Sequence, residues 1–204
     1  MQSSVIFPLF YLPPVSYFKD FLAFQNQLLI EIHEHFPKQT YRNRTTILSP
    51  NGKLDLIIPV IRGSSSLGHT KLKDVKISYD AQWQRLHWKS YESCYRSSAY
   101  FEYYEAEFHK ILFKKHEFLI DLNIELFTWL LEKLKKKQPL NFTEEFLPYD
   151  SVENDFRRSF SAKKVVELKQ KPYFQVFDDR SGFQPNLSII DLLFNQGPQS
   201  LNYI

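Results

Sequence analysis

Val5-Ile6-Phe7-Pro8-Leu9-Phe10-Tyr11-Leu12-Pro13-Pro14-Val15-Ser16-Tyr17-Phe18 is the stretch from which the fold is read. Three apolar residues stop at a proline, which cannot donate to a ladder, so 5–7 reads as a short buried strand. The paired prolines hold the aromatic turn in an extended path. From Val15 onward, Tyr17, Phe18, Phe21, Leu22 and Phe24 crowd one side of a helix expected over 15–25. Strand, turn and helix in that order open an α/β domain, whose ligands often sit beyond the carboxyl ends of the strands.

Working outward, 28–32 is the second strand. Pro50-Asn51-Gly52 is a turn signature between β-prone runs at 45–48 and 53–60, which predicts an antiparallel hairpin. Residues 73–79 alternate apolar and polar and read as a further strand. The expected sheet is mixed and contains 5–7, 28–32, 54–58 and 75–79. Asp80 is the expected N-cap of a helix over 81–95, followed by helices at 102–113 and 119–134. Lys133 and Lys135-Lys136-Lys137 end the last of these, where cations complement the dipole, so the run reads as solvated structure. The serine- and glycine-bearing segment 62–70 reads as a mobile loop, 148–166 as a surface crossing, and 173–177 as a strand. Ser188 or Asn186 caps a short helix with Ile189, Leu192 and Leu193 on its apolar face, stopped by Gly197-Pro198. The expected architecture is one α/β domain over 1–204, a mixed sheet flanked by helices with a short C-terminal helical arm.

Composition narrows the function classes. Aromatic residues make up 17% of the chain, enough to build a large core or to line a cavity that stacks on sugars. No glycine-rich phosphate cradle is present, and only 5 glycines stand against 11 prolines. A net charge of +3, with cations and acids interspersed, argues against nucleic acid as a partner. The one cysteine, Cys94, excludes an intrachain disulfide and points to a reducing, cytoplasmic setting. No apolar run approaches the ~20 residues of a membrane span, so no insertion is expected.

The candidate site starts from Pro37-Lys38-Gln39-Thr40-Tyr41-Arg42-Asn43-Arg44, an acid-free cluster of cations, amides and hydroxyls between two apolar runs. Arg42 and Arg44 suit bidentate recognition of phosphate or carboxylate, with Lys38 adding charge. Gln39, Tyr41 and Asn43 add neutral donors. His87, in an aromatic stripe with Trp83, Tyr91 and Cys94, is the best base at neutral pH. Asp191 and Asn195 lie i,i+4 on one helix face, where Asp191 can orient the base or an amine. A Cys94–His87 dyad is rejected, because residues seven apart on a helix stand about 10 Å apart along its axis; Cys94 is expected to be a packing residue. His33 and His35 fall on one face of an extended chain without a third ligand, so a solvated strand end is preferred to a metal site. No cofactor is expected.

Four segments resemble the WbqC-like family of bacterial proteins, which is found with genes for O-antigen and other surface polysaccharides: PLFYLPPVSYF (8–18), KQTYRNR (38–44) with the following NGK and LIIPV, WQRLHWKSYESCY (83–95), and GFQPNLSIIDLLFNQGP (182–198). They occur in the family's order. Many members carry Gln-Pro where this chain has Phe7-Pro8. The resemblance implies a pathway role, with transfer of a glycyl or acyl group to a sugar as the associated activity.

Three functions fit these residues. The first is transfer of an aminoacyl or acyl group to an amino sugar or nucleotide sugar, with the cluster anchoring phosphate and His87 taking the amine proton. The second is a non-catalytic module that binds a sugar nucleotide or assembles pathway enzymes. In the third, the cluster forms buried ion pairs with Glu31, Asp191 or another acid and is purely structural.

Overall fold

A computed structural model describes residues 5–24, 28–61, 69–149, 151–161 and 169–204. The opening strand β1 (Val5–Phe7) is fully buried and is followed by helix α1 (Val15–Ala23), which turns Tyr17, Phe18 and Phe21 into the core. Strand β2 (Leu28–Ile30) returns parallel to β1, with Ile6 opposite Leu29. Two short strands complete this sheet, β5 (Asn141–Phe142) beside β2 and β6 (Asn154–Asp155) beside β1, giving the order β5-β2-β1-β6 with every pairing parallel.

The hairpin forms a separate two-stranded sheet of β3 (Arg44–Ser49) and β4 (Gly52–Ile57). Pro50 and Gly52 take the second and fourth positions of the turn, and Gly52 has a φ of 101° that a side chain would oppose. Parallel and antiparallel pairing are thus both present, as expected for the mixed α/β class, but they are divided between two sheets.

Residues 75–79 are extended without forming a strand. Ile61 N bonds Lys76 O and Ser78 N bonds Pro59 O on one side, while Ile77 N bonds Glu117 O on the other. Only isolated bridges result, Val60 to Ile77 and Lys76 to Phe118, because Pro59 has no N–H to carry the ladder on. The expected strand at 173–177 is also absent. Its alternation is real, with Tyr173 and Gln175 buried and Phe174 exposed, but Gln175 pairs through its side chain with the backbone of Gln184.

Helices α2 (Trp83–Tyr95), α3 (Phe101–Phe113) and α4 (Leu119–Lys133) carry the amphipathic faces seen in the sequence. Helix α2 starts two residues later than expected, with Gln82 rather than Asp80 at its N-cap; the Asp80 carboxylate accepts instead from Ser78 in the preceding turn. A single turn, α5 (Asp178–Ser181), precedes the C-terminal helix α6 (Ile189–Gln196). Ser188 caps α6 by accepting from Ile190 N. Asn186 instead accepts from Ser16 N in the first turn of α1. Residues 25, 62–68, 150 and 162–166, to which the end of the first helix and two loops were assigned, lie outside the described residues.

Candidate functional site

The aromatic turn after β1 is the point on which the distant segments meet. Leu9, Phe10, Tyr11 and Leu12 are wholly buried. Leu12 adopts a φ of 46°, a left-handed conformation that costs a non-glycine residue on the order of 1–3 kcal/mol. Its carbonyl accepts from Thr45 Oγ1 at 2.8 Å and from Ser188 Oγ at 3.0 Å. Tyr11 N bonds Tyr41 O, and Ile189 N bonds Pro13 O. The 37–44 cluster and the C-terminal helix therefore both seat on this turn.

Their polar side chains do not share a pocket. Residues 38–43 form turns rather than an extended run, so Arg42 and Arg44 diverge. Arg42 is 2% exposed and donates through Nε to Glu34 Oε1 at 2.7 Å, with its guanidinium over the Phe10 ring. Arg44 reaches Asp55 Oδ2 on the neighbouring strand at 3.1 Å. Asn43 donates to Ile58 O, and Tyr41 is buried. Lys38 and Gln39 face solvent. The third sequence reading, in which buried ion pairs use these cations, describes Arg42.

Arg42 leads to a charged cluster beyond the carboxyl ends of the parallel strands. Glu31, the residue after β2, is fully buried and accepts from His33 N, Thr143 Oγ1 and Leu147 N. Arg157, just past β6, lies 3.5 Å from Glu31 and chelates Asp155; it also donates to the carbonyls of Leu147 and Pro148. Glu34, 1% exposed, accepts from Arg42 and, at 3.2 Å, from the hydroxyl of half-buried Tyr149. Burial pushes the Glu34 carboxyl above the usual range despite the opposing pull of Arg42. The exposed guanidinium of Arg158 lies 3.6 Å from the centre of the Tyr149 ring. Sequence reading passed over Glu34, which stood between two histidines, and over Tyr149, Asp155 and Arg157, which lie in a segment without periodicity. The available signal was an acid directly after an apolar strand, Ile30-Glu31.

His87 and Asp191 lie in the core on separate networks. His87 Nδ1 and the Tyr91 hydroxyl both stand 3.0 Å from the Tyr11 hydroxyl. Burial lowers the imidazole to about 4, so the ring is neutral near pH 7. Asp191 accepts from Tyr95 at 2.8 Å, Tyr173 at 2.7 Å and Gln175 at 3.2 Å, and no cation stands at ion-pair distance among the described residues. Desolvation raises this carboxyl to about 6, against the effect of its three donors. Asn195 turns back to donate to Asp191 O, leaving its own Oδ1 without a partner among the described residues. Cys94 is 2% exposed, its thiol pushed up to about 11 by burial and by the Asp191 charge, which fits a packing role. His33 Nε2 lies 3.1 Å from Thr143 O, and no described group of three histidines, cysteines or acids is arranged to hold a metal ion.

The pattern of the WbqC-like protein family covers residues 10–155 and 148–203. The chain belongs to the WbqC-like protein family. An uncharacterized Mycobacterium tuberculosis protein, Rv1507c, is 25% identical over 221 residues, spanning 95% of this chain and 94% of the relative. No solved structure matches this WbqC-like chain. Among the described residues, no helix is long and apolar enough to cross a membrane.

Proposed function

We propose that this WbqC-like protein transfers an aminoacyl or acyl group to the amine of a sugar nucleotide in surface-polysaccharide biosynthesis, with the strand-end cluster as its site. The observation that carries the reading is the Glu34–Tyr149 pair, a buried carboxylate of raised pKa hydrogen-bonded to a phenol that reaches the surface. Its position beyond parallel strand ends is where open α/β sheets bind ligands. As the acceptor nitrogen bonds the acyl carbon, the leaving group departs with its electron pair. The amine proton passes to the Tyr149 oxygen while the Tyr149 proton passes to Glu34. Arg158 stands beside this relay as an exposed cation for phosphate. His87 and Asp191, at 4% and 1% exposure, support the fold behind the site in this reading.

The closed state of His87 and Asp191 also favours the second reading, a binding module without chemistry. One experiment separates them: calorimetric titration with a uridine diphosphate amino sugar, followed by mass spectrometry after adding activated acyl donors. Arg158→Ala should weaken binding about tenfold, as loss of a charge-assisted contact does. Tyr149→Phe should leave binding intact and slow transfer by about 100-fold. Binding without transfer in the wild type would favour the module; absence of binding would sink both readings.

A further inference from the structure

The lysine run that closes α4 lies on the rim of a groove. The last turns of α4 and the segment returning to β5 border an open groove of about 750 Å³, within the usual range for a small-molecule site. Ile124 and Leu131 of α4, with Leu140 and Phe142 at the sheet edge, give it an apolar wall. Lys135, Lys136 and Lys137 line it as well, together with Glu132. Glu132 already has a cation, since Lys133 lies 3.2 Å from it while also bonding Glu107. Among the described residues, none of the three rim lysines has a carboxylate at ion-pair distance.

The backbone holds these cations in place. Lys135 takes a φ of 55°, Lys136 N bonds Leu131 O at 2.8 Å and Lys135 N bonds Glu132 O at 2.9 Å. These two bonds close the helix in a left-handed reversal, so the lysines fold back along the groove instead of extending the helix into solvent. A site that is apolar along its length and cationic at one rim fits a molecule of the opposite design. We infer that the groove binds a single fatty-acid carboxylate, its chain against Ile124, Leu131, Leu140 and Phe142 and its charged head toward Lys135–Lys137. The concavity selects a single chain over a flat bilayer surface, and the cations select an anion over an alcohol or amine. The inference goes beyond acyl transfer and does not depend on it.

The test is calorimetry on the full chain with octanoate, decanoate and dodecanoate below their micellar concentrations, and decyltrimethylammonium as the cationic probe. Binding should saturate at one per chain and tighten with length, up to about fourfold per added methylene, the factor equivalent to ~0.8 kcal/mol per buried CH₂. Thr128 is exposed on the groove wall, so Thr128→Trp should narrow the groove and weaken binding severalfold while leaving the circular dichroism and melting curve unchanged. Lys135→Glu with Lys137→Glu should weaken binding severalfold, with a loss that shrinks as salt rises. Affinity independent of chain length, equal binding of the cationic probe, or binding unchanged by Thr128→Trp would overturn the inference. Binding to anionic vesicles with none to monomeric decanoate would also overturn it, in favour of a membrane surface.

Discussion

Asp191 and His87 are buried ionisable groups whose displacements have opposite consequences for stability. His87 titrates near 4 in the folded chain against an ordinary 6.5, so only the unfolded chain takes up its proton between those values. Its contribution is complete above pH 6.5 and is lost as the pH falls toward 4. Asp191 titrates near 6 against 3.8, so the folded chain holds a proton that the unfolded chain has released. Its contribution is complete below pH 3.8 and is lost as the pH rises through 6. Each amounts to about 3 kcal/mol across its window, so between pH 4 and 6 they nearly cancel. Glu34, also raised, acts with the sign of Asp191. Urea unfolding of Asp191→Asn should therefore show a steeper loss of stability from pH 6.5 to 4 than the wild type. His87→Gln should become more stable over the same interval. Equal slopes in all three proteins would mean that neither group titrates as its burial requires.

At the scale of elements, the helix ends carry the sharpest constraints. Gly197 closes α6 with a φ of 51°, and a Cβ built there would lie 2.5 Å from the Tyr100 ring, whose own backbone N–H bonds Phe194 O. Gly197→Ala should cost about 2–4 kcal/mol, combining left-handed strain with overpacking. Tyr100→Ala in the same background should recover part of it in a double-mutant cycle. Lys135 is the opposite case, a side chain at a left-handed closing position that glycine usually occupies. Lys135→Gly should raise the urea midpoint by the equivalent of about 0.5–1 kcal/mol with an unchanged slope; a fall would show that the ammonium stabilises the helix end by more than the strain costs. These elements also show what the sequence made legible. Helices α2, α3 and α4 declare themselves by long apolar stripes, the hairpin by Pro50-Asn51-Gly52, and α6 by Ser188 and Gly197. Strands β5 and β6 could not be read, because two residues carry no period. Residues 75–79 carried one, but Pro59 beside them has no N–H to extend a ladder.

For the whole molecule, fold class was read more fully than the site because apolar patterning is local and charge pairing is not. The cluster 37–44 looked like one polar surface in sequence, yet a turn radiates its side chains. Arg42 went to Glu34 at the sheet end, Arg44 to Asp55 on the hairpin, and Lys38 to solvent. Nothing in the spacing of Glu31, Tyr149, Asp155 and Arg157 foretells that parallel strand ends bring them together. The cluster and the C-terminal helix, expected to supply one candidate site, do not bring their charged side chains together. The two segments do meet, through hydroxyls on the Leu12 carbonyl, and the charged side chains are elsewhere.

That carbonyl also ties a turn to a segment made well over a hundred residues after it. Ser188 lies 176 positions beyond Leu12, and Thr45 lies 33 beyond it. At roughly 5–20 residues per second on the ribosome, the second donor follows the first by about 7–30 seconds. Throughout that interval the left-handed Leu12 has at most one of its two hydroxyl donors, and the carbonyl of Pro13 lacks Ile189. The aromatic turn that organises the fold is therefore fully secured only after residues 187–189 have been made, and until then the nascent chain must keep Leu9, Phe10 and Tyr11 from other partners.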